Sequence, residues 1–467
     1  MHVTSVVALL IVSAAPPRTF RIDYFHTGDA NEERFSLDRL ILEPLPWPGN
    51  PAKPIDETNL GKYFFEVHDL RTHRLLYSRG FSSIYGEWET TPEAKDIHRT
   101  FHESIRFPAP DTPVQVVIKK RDAKDNSFKE RWSLIANPKD IFVDSSQPPS
   151  PGPVIALQNK GNPSTKLDLL ILGDGYRAAE RAKCEKDARR LMEVLFSRSP
   201  FKERRDDFNL WGLCPASEES GISRPSTGTH HRSPVGATYD AFGSERYILT
   251  FDNRAFRDIA SWAPYDAVEI LANGKTYGGG GIFNLYSTVA SDTLWAPYIF
   301  VHELGHHLAG LADEYFTSPS AYESPVGRPE PWEPNVTALQ DPKSPKWERL
   351  LSPGIPIPTP WREEEFQSFE AGIQKRRKQI RAERRPESEM DALFLEEKAE
   401  ETKMLTSEKY AGKVGAFEGA NYESKGYFRP QTDCVMFSRD DVPFCAVCQN
   451  AIHRVIDLYG SPGEAKH

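Results

Sequence analysis

The stretch Val301-His302-Glu303-Leu304-Gly305-His306-His307-Leu308-Ala309-Gly310-Leu311-Ala312-Asp313-Glu314 closes a largely apolar run that begins at Trp295 and predicts a helix buried behind a cleft. Gly310 supplies the left-handed residue that ends such a helix. His302 and His306 are four residues apart, so on a helix they stand one above the other and can bind one metal ion. Glu303 lies about 100° around the same helix and projects beside the metal rather than onto it. A general base must sit there to take a proton from water. The expected cofactor is one catalytic Zn2+ ion: three protein ligands leave it a fourth position for water, whose pKa it lowers to about 7. Water activated in this way can attack a peptide carbonyl at neutral pH. His307 points about 100° away from His306 and is expected to be a packed or surface histidine.

Asp313 comes three residues after Gly310. In the metzincin pattern the third ligand also follows a helix-ending glycine by three residues, although that helix is one residue shorter. Asp313 is therefore the expected third zinc ligand and Glu314 the second choice; the competing reading of Asp313 is a carboxylate that orients a ligand histidine. Downstream, Asp433-Cys434-Val435-Met436 precedes Phe444-Cys445-Ala446-Val447-Cys448, which begins the last helix. Met436 is expected to lie beneath the metal as the apolar floor that metzincins place there, with simple core filling as the alternative. Five cysteines are an odd number, too few for a disulfide scaffold. Cys434, Cys445 and Cys448 have the spacing of a structural zinc site but no convincing fourth ligand nearby, so a loop-pinning disulfide is the preferred reading.

Outward from the helix, Leu167–Leu172 is a nearly continuous apolar run entering Gly173-Asp174-Gly175, the profile of a buried central strand. A helix is expected over 178–196 and short strands at 208–213, 247–251, 267–271 and 282–286, which together indicate an α/β domain. Ahead of it, 144–165 carries Pro148, Pro149, Pro151, Pro153 and Pro163 and reads as a linker. From Phe20 to Val143 the chain alternates short apolar and aromatic runs with turn residues, as an antiparallel β-sandwich does. The segment 317–410 is Pro-rich and then strongly charged, and is expected to be a solvated helical insertion broken at Pro386. The expected fold class is thus a multidomain α+β and α/β chain, with an N-terminal antiparallel β-sandwich over 17–143 followed by a zincin-like metallopeptidase domain over 166–460.

At the N-terminus, the apolar run Val6–Val12 before Ser13-Ala14-Ala15 predicts a signal peptide over 1–15 and a secreted or periplasmic protein, with a buried first strand as the competing reading. A chain of 467 residues with 39% hydrophobic and 11% aromatic content is globular and too long for a single core. Its net charge of −9 comes without a basic stripe interleaved with aromatics, so nucleic acid is not an expected partner. No stretch approaches the roughly 20 apolar residues of a membrane span.

With these residues assembled, the chain resembles the bacterial IgA-peptidase family of zinc metallopeptidases. The matching text is Leu167-Asp168-Leu169-Leu170-Ile171-Leu172-Gly173-Asp174-Gly175-Tyr176, Ser217-Glu218-Glu219-Ser220-Gly221, the helix with His302, and Val414-Gly415-Ala416-Phe417-Glu418-Gly419-Ala420-Asn421-Tyr422. It continues through Gly426-Tyr427-Phe428-Arg429-Pro430 to the late cysteines, and Gly80-Phe81-Ser82-Ser83 with Gly86-Glu87-Trp88 matches the family's N-terminal β domain. The resemblance implies metal binding by His302 and His306 and a catalytic Glu303. The family's eponymous substrate does not transfer with it. The expected function is an exported zinc-dependent endopeptidase acting on a protein or peptide, with the N-terminal domain a candidate to bind substrate or a surface ligand. Hydrolysis of a non-peptide amide is one alternative. A surface-binding protein with a vestigial zinc site is another, and the retained Glu303 speaks against it. Tyr422, Tyr427 and Arg429 are the groups available near a developing oxyanion, Phe437 standing where some metzincins have a tyrosine; none is assigned.

Overall fold

Alternating apolar positions from Arg18 onward pair into two sheets. In the computed structural model, which describes residues 16–318, 320–323 and 327–460, the first part of the chain runs β1 (Arg18–Gly28), β2 (Glu33–Pro46), β3 (Tyr63–Asp69), β4 (Leu75–Phe81), α1 (Ile84–Trp88), β5 (Arg99–Pro108), β6 (Val114–Arg121), β7 (Phe128–Ala136) and β8 (Val143–Asp144). The sheets are four-stranded, in the orders β5-β1-β2-β8 and β4-β3-β6-β7. Their inner faces share one core, in which Phe20 and Ile22 of β1, opposite Phe107 and Ile105 of β5, meet Phe65 and Val67 of β3 and Val116 and Ile118 of β6. Residues 1–15, where a signal peptide is expected, lie outside the described residues.

The second part runs β9 (Val154–Gln158), β10 (Leu167–Asp174), α2 (Arg181–Leu195), β11 (Phe208–Leu213), β12 (Ala237–Thr238), β13 (Leu249–Thr250), α3 (Asn253–Ala260), β14 (Ala267–Ala272), β15 (Gly279–Ile282), β16 (Tyr286–Ala290), α4 (Ala296–Ala309), α5 (Glu363–Ala382), α6 (Glu387–Thr406), β17 (Phe417–Ala420), β18 (Glu423–Arg429) and α7 (Ala446–Tyr459). A six-stranded sheet of order β15-β16-β14-β10-β11-β9 holds it together. The four inner strands are parallel and both edges antiparallel. β10 is buried at every position because both faces of the sheet are covered, which is why its sequence is apolar without alternation. Helices α2 and α4 pack on one face, and the Cys184–Cys214 disulfide ties α2 to the residue after β11. Among the described residues no helix is long and apolar enough to cross a membrane.

Two local readings need correction. The Pro-rich stretch 144–165 is more than a linker: β8 joins the first sheet beside β2, and β9 forms an edge of the six-stranded sheet against β11. The prolines at 148, 149, 151, 153 and 163 lie between and after these two edge strands, so neither strand loses a backbone donor to them. The strand expected at 282–286 is the turn between β15 and β16, made possible by Asn284 at φ 55°. The charged insertion does form two helices, α5 and α6, parted just before Pro386 caps the second. It is not merely solvated, since Phe366, Ile373, Ile380, Met390, Leu393, Phe394 and Leu405 enter the main core.

The two parts are joined by buried polar contacts. Arg21 pairs with Asp23, Glu43 and, across the junction, Asp258; Arg257 donates to Ser104 Oγ at 3.0 Å; and the Ser82 N–H donates to Phe283 O at 2.9 Å. Ser83 caps α1 by accepting from Gly86 N at 3.0 Å, which fixes the short helix so that Glu87 faces the cleft above α4.

Edge strand β15 lies against α4 more closely than side chains allow. A Cβ on Gly281 would sit 2.4 Å from Glu303 O and 2.9 Å from His306 Cβ, so strand or helix would have to move. Gly281→Ala is therefore expected to destabilise the fold by about 1–3 kcal/mol, as overpacking does, and to lower the urea midpoint. Gly372→Ala, in open space on α5, should leave the midpoint unchanged or raise it through helix propensity. Equal midpoints for the two variants would mean that the strand and helix can separate freely.

Candidate metal centre

α4 presents His302, Glu303 and His306 from its buried side, and Gly310 ends it at φ 58° and ψ 37°. The chain then doubles back under the helix. Asn335 grips this return from both sides, accepting from Ala312 N at 2.8 Å and donating to Ala312 O at 2.9 Å. Asp313 O accepts from Asn421 N at 3.0 Å. Held this way, Asp313 Oδ1 lies 3.0 Å from His302 Nε2 and 3.3 Å from His306 Nε2, and the two imidazole nitrogens are 3.2 Å apart.

The outer ring nitrogens decide what this triangle can hold. His302 Nδ1 is 3.0 Å from Val435 O, and His306 Nδ1 is 2.5 Å from Leu311 O. Carbonyls only accept, so each Nδ1 carries a proton, and each ring in its neutral form turns an Nε2 lone pair inward. Two lone pairs and a carboxylate oxygen then converge, and Asp313 Oδ1 is buried without a hydrogen-bond donor. Three ligands at about 2.0–2.1 Å from one ion in tetrahedral geometry stand roughly 3.3 Å apart, close to the distances here. The set fits a metal ion. With no metal between them the carboxylate favours a proton instead: burial opposes charge on His306, but Asp313 overrides it and pushes its pKa up to about 9, so metal binding displaces that proton. Burial works against ionisation of Asp313 too, yet the two histidines hold its carboxyl well below the usual range.

Glu303 stays out of the triangle. Its carboxyl is raised above the ordinary value by burial, with His302 and His306 pulling the other way. Met436 lies beneath the helix, where its sulfur would be 3.0 Å from a Cβ on Gly305, and its carbonyl accepts from Glu314 N at 2.8 Å. His307 is a packed histidine: Nδ1 donates to Ile282 O at 3.1 Å, Nε2 accepts from Val268 N at 3.1 Å, and burial drives its pKa down to about 4.

Above the triangle opens a cleft of about 930 Å³ whose walls include Glu87, Arg246, Gly279 to Gly281, Tyr315 and Tyr422. Sequence reading left Tyr422 unassigned. It occupies, with Asn421, a two-residue hairpin turn between β17 and β18, both at positive φ (52° and 64°). That is the type I′ geometry, unusual for a tyrosine and a place where strain of order 1 kcal/mol or more is tolerated. Its phenol donates to Asp313 Oδ2. Its place among the groups available near an oxyanion was the signal the sequence offered. Glu87 appeared only inside the matched Gly86-Glu87-Trp88, and Arg246 had none.

Glu314, the second choice for the third ligand, points away from the triangle into a buried pocket with Cys434, Cys445 and Cys448. The disulfide expected among those cysteines is absent; Cys184 and Cys214 form the bond, and the other three are free. Cys445 caps α7, Cys448 is one turn along it, and Cys434 comes from the preceding loop, so the three sulfurs sit at separate corners around the carboxylate rather than as a pair.

No curated protein matches the chain. The family model described as IgA peptidase M64 matches residues 155–456, and that of the peptidase M64 N-terminus matches residues 13–133. With both parts of the chain matched in order, and with a metal-competent donor set within the larger match, the chain belongs to the IgA-peptidase family of metallopeptidases.

Proposed function

We propose that the chain is an exported zinc-dependent endopeptidase in which His302, His306 and Asp313 hold the metal and Glu303 is the general base. The convergence of the two Nε2 atoms and Asp313 Oδ1 within 3.3 Å, with Glu303 beside them at the floor of an open cleft, carries this reading. Two imidazoles and a carboxylate suit zinc. When bound, zinc supplies Lewis acidity toward water and the substrate carbonyl.

The remaining chemistry belongs to the chain. Glu303 takes the proton that the attacking water gives up and passes it to the leaving amine; a pKa raised by burial brings the group closer to the working pH. The Tyr422 phenol rests with its one O–H on Asp313 Oδ2 and can turn that proton to the oxygen where negative charge develops. Gly279 to Gly281 form an edge-strand wall of the cleft without side chains, against which an extended peptide can lie. The Cys184–Cys214 disulfide supports a place outside the reducing cytoplasm, in keeping with the leader-like N-terminus.

Cleavage of a diverse peptide library by the full chain, with chelator and then with zinc restored, tests the proposal. Cleavage should disappear with the metal and return with zinc. Cleavage indifferent to the chelator would remove the metal from the mechanism, and a zinc-loaded chain that cuts no peptide would remove the endopeptidase. Tyr422→Phe keeps the ring and loses the donor, so kcat should fall by roughly 10²-fold, as on loss of an oxyanion donor, with KM nearly unchanged and metal affinity lowered by no more than the roughly 10- to 100-fold that loss of a partner to a ligand carboxylate costs. An unaltered kcat would make Tyr422 a structural residue.

A further inference from the structure

The pocket behind the candidate metal centre holds a second donor set that the proposed mechanism does not use. Cys448 Sγ lies 3.2 Å from Glu314 Oε1 and Cys445 Sγ 3.7 Å from it, while Cys434 Sγ and Cys448 Sγ are 3.9 Å apart. All four ligand atoms fall within 4.8 Å of one another. Around a tetrahedral ion with Zn–S of about 2.3 Å and Zn–O of about 2.0–2.2 Å, neighbouring donors stand roughly 3.5–3.8 Å apart, so little movement is needed to close the set.

Three further observations point to a cation. Glu314 is fully buried, and its Oε2 has no hydrogen-bond partner among the described residues; a buried carboxylate in that position is costly without positive charge beside it. Backbone amides already aim at sulfur, Cys445 N at Cys434 Sγ (3.2 Å) and Cys448 N at Cys445 Sγ (3.4 Å), the arrangement that stabilises thiolates. Cys434, Cys445 and Cys448 are themselves buried and unbonded in a chain that makes a disulfide elsewhere. Among the described residues the buried Arg429 guanidinium is within electrostatic reach of Glu314, but its own hydrogen bonds go to the carbonyls of Glu418, Gly419 and Thr432 rather than to the carboxylate.

We propose that Cys434, Cys445, Cys448 and Glu314 form a second, structural zinc site, closed and without an open position. Binding releases the thiol protons to solvent and leaves the sulfurs as thiolates. The site would pin three parts of the centre in front of it. Glu314 follows Asp313 directly, its N–H donates to Met436 O, and Val435, whose carbonyl accepts from His302 Nδ1, lies next to Cys434. Sequence alone left this set one ligand short, because Glu314 is 134 residues from Cys448.

The experiment uses the untagged full chain loaded with zinc or cobalt(II). Two metal ions per chain are expected in the parent and one in the His302→Ala/His306→Ala variant. The cobalt form of both should show thiolate-to-cobalt charge-transfer absorption, which histidine and carboxylate ligands cannot produce. Loss of that absorption in Cys445→Ser supports the assignment. Should that variant fail to fold, the parent decides: native alkylation should spare all three cysteines until a chelator is added, after which all three react. No charge-transfer absorption in the parent, or a parent mass with a disulfide among Cys434, Cys445 and Cys448, would overturn the site. Because the signature belongs to sulfur, a failed histidine site would show separately, as a parent that binds one ion and keeps the absorption.

Discussion

Glu303→Gln is expected to retain the metal and lose turnover by at least about 10²-fold, the low end for general acid–base catalysis. The side chain is not part of the triangle formed by His302, His306 and Asp313, so replacing a carboxylate oxygen with an amide leaves the donor set intact. Gln has nearly the same shape and keeps contact with the edge strand, where Glu303 Cγ would lie 3.1 Å from a Cβ on Gly279. What disappears is the group that can accept a proton. Steady-state kcat and metal content, measured on the same preparation, check both halves. A variant that turns over like the parent would rule out Glu303 as the base, and one that loses its metal would show that the carboxylate belongs to the ligand set.

Asp313→Ala should release the metal at the histidine site about as completely as His302→Ala or His306→Ala. Its Oδ1 is as close to each imidazole as they are to one another, and its backbone position is fixed by contacts through Ala312 and Asn421 that the substitution leaves in place. The loss would then report the carboxylate and not a collapse of the loop. A carboxylate that only oriented a histidine would cost roughly 10- to 100-fold in affinity, so a dissociation constant raised beyond that range marks a ligand. Glu314→Ala is expected to spare this site more than Asp313→Ala does, since Glu314 faces the cysteines. A larger loss from Glu314→Ala would reverse the assignment.

These contrasts also show what the sequence could reveal. His302, Glu303 and His306 were legible because one helical period places them, and Asp313 because a glycine that must adopt positive φ sets where the chain goes next. Both are local rules. The strand at Leu167 was equally plain, since burial on both faces leaves no polar alternation to confuse it. Glu314 was only the second choice for that position, and its own neighbours could not be read, for the opposite reason: they lie on a loop and a helix more than a hundred residues away, and only the fold brings them together. Tyr422 was hidden in a hairpin turn that residue preference argues against. β9 was hidden by the prolines that flank it, which made a short edge strand read as part of a linker.

The short helix α1 and the turn before it belong to the first part of the chain, yet they lend Glu87 and Ser82 to the wall of a cleft whose floor is α4. On the proposed function, selectivity and chemistry would reside in different stretches of the gene. Changes around α1 can retune which side chains the cleft accepts while the residues that break the bond stay untouched, and the two halves have to be inherited as a matched set, because a catalytic half paired with a foreign front half would keep its floor and lose one bank of its channel.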